Sequence, residues 1–292
     1  MLKNFITPLV FICTAVLSAG LPAYSHEIQK FPCKLPGGLI NITNECGPRT
    51  SYWNDFAQPD YLIVYFHGLN SHEFEAYSVP DFNNCFAVAL RRSGVKAALL
   101  SINLSPQQSF VTGEVSTLID EPVKSALKIS GASKIIIYGG SMGAFKALSY
   151  LSEGADEILQ KISAVAAIEP PDDLDLLAKE SSLEAVRNAV TKVLVDAKPS
   201  KTTIEQILQE AKYKPNILVV SATNDTVVPP AMQTRIVKFL QENGFATKFM
   251  EIPGNHGILN LEHAQEALDN VTSGQWHKAF LLVELSACTV QS

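Results

Sequence analysis

Lys134-Ile135-Ile136-Ile137-Tyr138-Gly139-Gly140-Ser141-Met142-Gly143-Ala144-Phe145-Lys146-Ala147-Leu148-Ser149-Tyr150-Leu151 is the stretch that decides the fold. A short, β-branched apolar run passes through Gly-x-Ser-x-Gly into a helix-forming run. A serine on a tight strand-to-helix turn projects its hydroxyl clear of the backbone, beside a free helix N-terminus. The flanking glycines lack the Cβ atoms that would collide where the chain doubles back. The order strand, motif, helix carries more weight than the five letters, which also occur by coincidence.

Three other loops follow strand-like runs, two of them apolar and the third alternating. Tyr61-Leu62-Ile63-Val64-Tyr65-Phe66 ends in His67-Gly68-Leu69. Asn216-Ile217-Leu218-Val219-Val220-Ser221-Ala222 precedes Asn224-Asp225-Thr226-Val227-Val228-Pro229-Pro230. Thr247-Lys248-Phe249-Met250-Glu251-Ile252 precedes Pro253-Gly254-Asn255-His256-Gly257. With the serine turn, these four segments resemble the α/β-hydrolase superfamily in the right order, over nearly all of the chain past residue 25. The resemblance implies a mostly parallel sheet flanked by helices on both faces. It also implies a nucleophile at Ser141, an acid at Asp225 and a histidine at His256. Backbone N–H groups of Leu69 and Met142 would form the oxyanion hole, and His67, Val227 and Val228 would line the substrate site.

The chemistry fits those residue types. A serine hydroxyl is a weak nucleophile and needs a base in contact with it. Imidazole takes that proton near neutral pH and returns it to the leaving group. A carboxylate on the other ring nitrogen fixes the tautomer and stabilises the developing imidazolium. No cofactor or metal is needed. Alternatives remain at each position: Ser141 as a helix cap, His256 as a turn residue, and Asp225 as the closure of an Asx-turn. Asp172 and Asp173 are rival acids, since some relatives place the acid after the preceding strand. His67 is better suited to shaping the oxyanion loop than to proton transfer. His26, His72, His263 and His277 lack a loop of the right kind, and Asn255 has no assigned role. The His-Gly-Leu loop lacks the Gly-rich run of many lipases, which disfavours the hormone-sensitive-lipase-like branch.

The chain has 292 residues, 47% hydrophobic and 18% charged, which suits one sizeable globular domain. Residues 1–25 read as a secretory signal: Lys3, the apolar stretch Phe5 to Leu17, then Ala23-Tyr24-Ser25. A membrane anchor is the alternative. The mature domain, 26–292, is expected to be secreted or periplasmic, with no membrane span after signal cleavage. Net charge is −6 and only Arg91-Arg92 stand together, so no basic stripe suits a phosphate backbone, and nucleic acid is excluded as partner. Cys33, Cys46, Cys85 and Cys288 remain after Cys13 leaves with the signal, an even number that suggests two disulfides in any of three connectivities. In the resembled architecture the first and last helices share a face of the sheet. That points to Cys85–Cys288, with Cys33–Cys46 closing an N-terminal loop.

Strands are expected near 61–66, 96–102, 134–138, 162–168, 216–222 and 247–252, and helices near 82–93, 114–129, 142–153, 231–243, 260–269 and 274–286. Leu39-Ile40-Asn41-Ile42 and Thr50-Ser51-Tyr52-Trp53 read as an edge hairpin. The segment 171–213 breaks the strand–helix rhythm and is expected to hold two or three helices, forming a small cap insert. The expected activity is hydrolysis of a small-molecule or lipid-like carboxylic ester through an acyl-enzyme. The alternatives are a prolyl-oligopeptidase-like serine peptidase, an acyltransferase and, last, a non-catalytic binding module. A dinucleotide-binding reading fails because Ser141 stands where the fingerprint needs its second glycine. Acyl length, leaving group and oligomeric state are not set by these residues.

Overall fold

The computed structural model describes residues 49–272, except 55, 74, 77–85, 87–89, 91–92, 114–115 and 258–260. The signal segment, the strand-like stretch 39–42, the helix expected near 274–286 and every cysteine lie outside the described residues.

Seven strands form one sheet in the order β1-β3-β2-β4-β5-β6-β7. They are β1 (Thr50–Trp53), β2 (Tyr61–Phe66), β3 (Ala97–Ile102), β4 (Lys134–Gly140), β5 (Ile162–Ile168), β6 (Asn216–Ala222) and β7 (Thr247–Ile252). Every neighbouring pair is parallel except β1 with β3. Thr50–Trp53 stands at one end of the strand order and pairs antiparallel with β3, about fifty residues downstream; its expected hairpin partner, 39–42, lies outside the described residues. A parallel interior strand is buried on both faces, so its sequence is a continuous apolar run and not an alternating one. In β4, Ile135 and Ile137 enter the larger core cluster while Ile136 and Tyr138 enter the one on the opposite face.

The helices with described bounds are α1 (Pro106–Phe110), α2 (Ser116–Ser130), α3 (Met142–Glu153), α4 (Asp156–Leu159), α5 (Leu174–Glu180), α6 (Glu184–Ala197), α7 (Ile204–Leu208), α8 (Pro230–Glu242) and α9 (Leu261–Thr272). Helix α3 follows β4 with one residue between them, and residues 142–151 are all buried. Two glycines permit that turn. A Cβ on Gly143 would lie 2.0 Å from the Phe66 carbonyl oxygen at the end of β2, and one on Gly139 would lie 2.2 Å from the Gly143 carbonyl oxygen.

Between β5 and β6 the chain folds into α5, α6 and α7. Leu174, Leu177, Val186, Val190, Val193, Ile204 and Ile207 join the larger core cluster, so the segment is built onto the sheet's own core. Its α5–α6 turn also reaches the loop after β6: Ser182 N–H donates to Thr226 O (2.9 Å), and the Ser182 and Thr226 hydroxyls are 2.8 Å apart. Among the described residues, no helix is long and apolar enough to cross a membrane.

Candidate active site

Ser141 sits between β4 and α3 with φ 52° and ψ −116°, a backbone state that L side chains rarely adopt. Its N–H donates to Ile168 O (2.8 Å), which ties the turn to the end of β5. It occupies the N-cap position of α3, yet its side chain makes no capping bond. The hydroxyl instead lies 3.0 Å from His256 Nε2.

Asp225 follows β6 and is buried. Its Oδ1 accepts from the N–H groups of Val227 and Val228, both at 2.8 Å, and its Oδ2 lies 2.7 Å from His256 Nδ1. One Asp225 oxygen closes an Asx-turn and the other faces the ring. His256 lies in the loop after β7, which is held from two sides. Gly254 O accepts from Asn224 N–H (2.9 Å), and Gly257 N–H donates to Glu169 Oε2 (2.7 Å). Ser141, His256 and Asp225 are thus brought together from the ends of three strands. The rival acids are elsewhere. Asp172 pairs with Arg235 (2.7 Å), and Asp173 caps α5 by accepting from Leu176 N–H (3.0 Å).

Glu169 is the residue that sequence reasoning missed. It is the first residue past β5, is 2% exposed, and places Oε2 3.1 Å from His256 Nδ1. The available signal was a single acid at a strand's end before Pro170-Pro171. Asp172 and Asp173 just downstream offered competing carboxylates.

Burial is the largest influence on His256 and opposes charging the ring. The Asp225 hydrogen bond and the charges of Glu169 and Asp225 outweigh it, so its pKa rises above the ordinary imidazole value. Burial also raises the Glu169 pKa, as does the Asp225 charge, against the pull of His256 and Gly257 N–H. The ligand atoms of Glu169, Asp225 and His256 lie within 4.8 Å of one another. The 2.7 Å between Nδ1 and Oδ2 is a hydrogen-bond length. Two ligands of one tetrahedral zinc stand about 3.3 Å apart, from bond lengths near 2.0 Å.

His67 is 3% exposed. Its Nδ1 donates to Gly68 O (2.7 Å) and its Nε2 accepts from Leu104 N–H (3.0 Å), with the Asn103 amide oxygen also 3.0 Å away. The Glu75 carboxylate accepts from Gly68 N–H (3.1 Å) and from the Tyr65 hydroxyl (2.8 Å). His67 therefore shapes this turn. Leu69 is half-buried after Gly68, and Met142 is the first residue of α3, where helix N–H groups lack intrahelical partners. Val228 is buried in the core, Val227 is half-buried, and their backbones hold Asp225. Asn255 is exposed. A cavity of about 800 Å³ bounded by Asp60, Lys96 and Ser133 lies at the opposite strand ends, away from these loops.

Neither a family model nor a curated protein sequence matches the chain. Solved structures do. S-formylglutathione hydrolase from Staphylococcus aureus is similar at 15% identity with TM-score 0.57, covering 77% of this chain and 91% of that one. An esterase from Pyrococcus furiosus is similar at 16% identity with TM-score 0.51, covering 77% and 86%. The acylaminoacyl peptidase of Pyrococcus horikoshii is similar at 13% identity with TM-score 0.56, covering 77% of this chain but 38% of that one. Strand order, parallel register and the serine turn agree with this likeness: the chain has the α/β-hydrolase fold.

Proposed function

We propose that this protein is a serine hydrolase cleaving a carboxylic ester, with Ser141 as nucleophile, His256 as general base and acid, and Asp225 as the residue orienting the ring. One observation carries the reading: the continuous chain from Ser141 Oγ to His256 Nε2 (3.0 Å) and from Nδ1 to Asp225 Oδ2 (2.7 Å). His256 would take the Ser141 proton as Oγ attacks the carbonyl carbon, then deliver it to the leaving alkoxide, leaving an acyl-serine. Water, deprotonated by the same nitrogen, would release the acid. Backbone N–H of Met142 and Leu69 are the proposed oxyanion donors, each of a kind whose loss costs about 10²–10³ in kcat elsewhere.

The solved neighbours include both esterases and a peptidase, which supports the hydrolase class and favours serine peptidase as the second reading. A panel of p-nitrophenyl acyl esters and peptide anilides separates them. Turnover of acyl esters, abolished by Ser141→Ala, is expected; cleavage of peptides alone would transfer the assignment to the peptidase. We further propose export, on the reading of residues 1–25. N-terminal sequencing of the protein from its producing cell should begin near residue 26, and retention of Met1 would refute it.

A further inference from the structure

We propose that Glu169 is a positioning residue for His256, a second carboxylate whose charge faces Nδ1 beside the hydrogen-bonded Asp225, so that two acids from two strands act on one imidazole. This rests on the reading of Ser141, His256 and Asp225 as a proton-transfer chain.

The placement of Glu169 is built, not incidental. Its φ is 51°, a left-handed conformation that costs a non-glycine residue about 1–3 kcal/mol and persists only where the surroundings impose it. Three bonds do so. Glu169 N–H donates to Val220 O (2.8 Å) on β6. Gln233, 0% exposed on α8, donates from Nε2 to Pro170 O (2.9 Å) and accepts from the Ser221 hydroxyl (3.3 Å). Gly257 N–H, next to His256, donates to Glu169 Oε2 (2.7 Å). These contacts aim the side chain at the ring, but none requires a charge; a glutamine oxygen would accept from Gly257 equally well.

The charge has one partner. Among the described residues, Asp225 from the β6–α8 loop and Glu169 from the end of β5 are the ionisable groups facing the ring, with the neutral Ser141 hydroxyl on Nε2. Arg235 is engaged by Asp172. Glu169 Oε1 is buried without a hydrogen-bond partner, which is unfavourable and argues against a role in stability alone. What a buried carboxylate supplies here is stabilisation of the imidazolium and a preference for the Nδ1–H tautomer. Where a single aspartate does this work, its change to asparagine presents an amide N–H to Nδ1, favours the wrong tautomer and costs about 10⁴ in kcat. Here the Glu169 charge, 3.1 Å from Nδ1, would still favour a proton on that nitrogen.

The test uses the full chain and the isosteric variants Glu169→Gln, Asp225→Asn and their combination. His256 titration, followed by its imidazole NMR signals, needs no turnover. Its midpoint should move to lower pH in Glu169→Gln, because removing a nearby negative charge disfavours the protonated ring. The ascending limb of kcat/KM should move with it, and Asp225→Asn should retain at least about tenfold more ester turnover than the double variant. In the unaltered protein, a ¹³C-labelled Glu169 carboxyl should step at the pH where His256 titrates, since the two are coupled. An unmoved midpoint in Glu169→Gln, no carboxyl step, or equal rates for Asp225→Asn and the double variant would overturn the proposal. If the unaltered protein cleaves no ester, the ester-hydrolase reading fails while the NMR results still decide the role of Glu169.

Discussion

Ser141 carries a backbone conformation that no capping bond compensates, and its hydroxyl is used entirely on His256. Ser141→Ala should therefore keep stability within about 0.5 kcal/mol, read by denaturant titration. Turnover should fall by about 10⁵-fold or more. Adding His256→Ala should cost little further, because the two residues act as a unit; multiplied losses would argue against a shared proton transfer. In the proposed mechanism the neutral ring is the competent base, and its pKa is raised overall. Activity should thus climb with pH through a limb centred above 6.5, the ordinary imidazole value, and a limb centred below it would contradict the site electrostatics. The motif glycines should separate sharply. Gly143→Ala pushes a Cβ into the Phe66 carbonyl and should cost about 3 kcal/mol. A Cβ on Gly140 would meet nothing within 4 Å, so its alanine variant should stay within about 0.5 kcal/mol.

Helix α3 does more than present the serine. Lys146, fully buried, bonds Glu153 two turns later (2.6 Å) and donates to Val111 O (3.1 Å), while Glu153 accepts from Gly113 N–H (2.7 Å). The pair fastens the α1–α2 connection to α3. Lys146→Met strands a buried carboxylate and should destabilise by about 3–5 kcal/mol. Lys146→Met with Glu153→Leu should be milder than the single change, and thermal melts of both variants check the order. Periodicity places this helix at 142–153, the span observed, because twelve residues make enough turns to show a repeat. Helices α1 and α4, of five and four residues, escape that reading because neither completes two turns. Ser105 and Gln108 do form a capping box, and that four-residue signal could have marked α1.

At the scale of the molecule, the sheet gathers four loops at the carboxyl ends of its strands, and most of that plan is readable in the sequence. Parallel strands buried on both faces leave apolar runs whose ends mark the loops of His67, Ser141 and Asp225, while the alternating, half-exposed β7 marks that of His256. Side-chain aim cannot be read that way. Asp172, Asp173 and Glu169 all follow β5, and only the left-handed turn at Glu169, the Gln233 bond to Pro170 and the Asp172–Arg235 pair decide which carboxylate meets the ring. The partner of β1 is also hidden, since antiparallel pairing with β3 joins segments about fifty residues apart. The central claim is that one serine, activated by one histidine, is the nucleophile. Its most direct test is labelling the full chain with a fluorophosphonate and locating the adduct by peptide mass spectrometry. A single adduct on Ser141, absent in Ser141→Ala and strongly slowed in His256→Ala, is the expected result. An adduct on another residue, or labelling of Ser141 at an undiminished rate without His256, would contradict it.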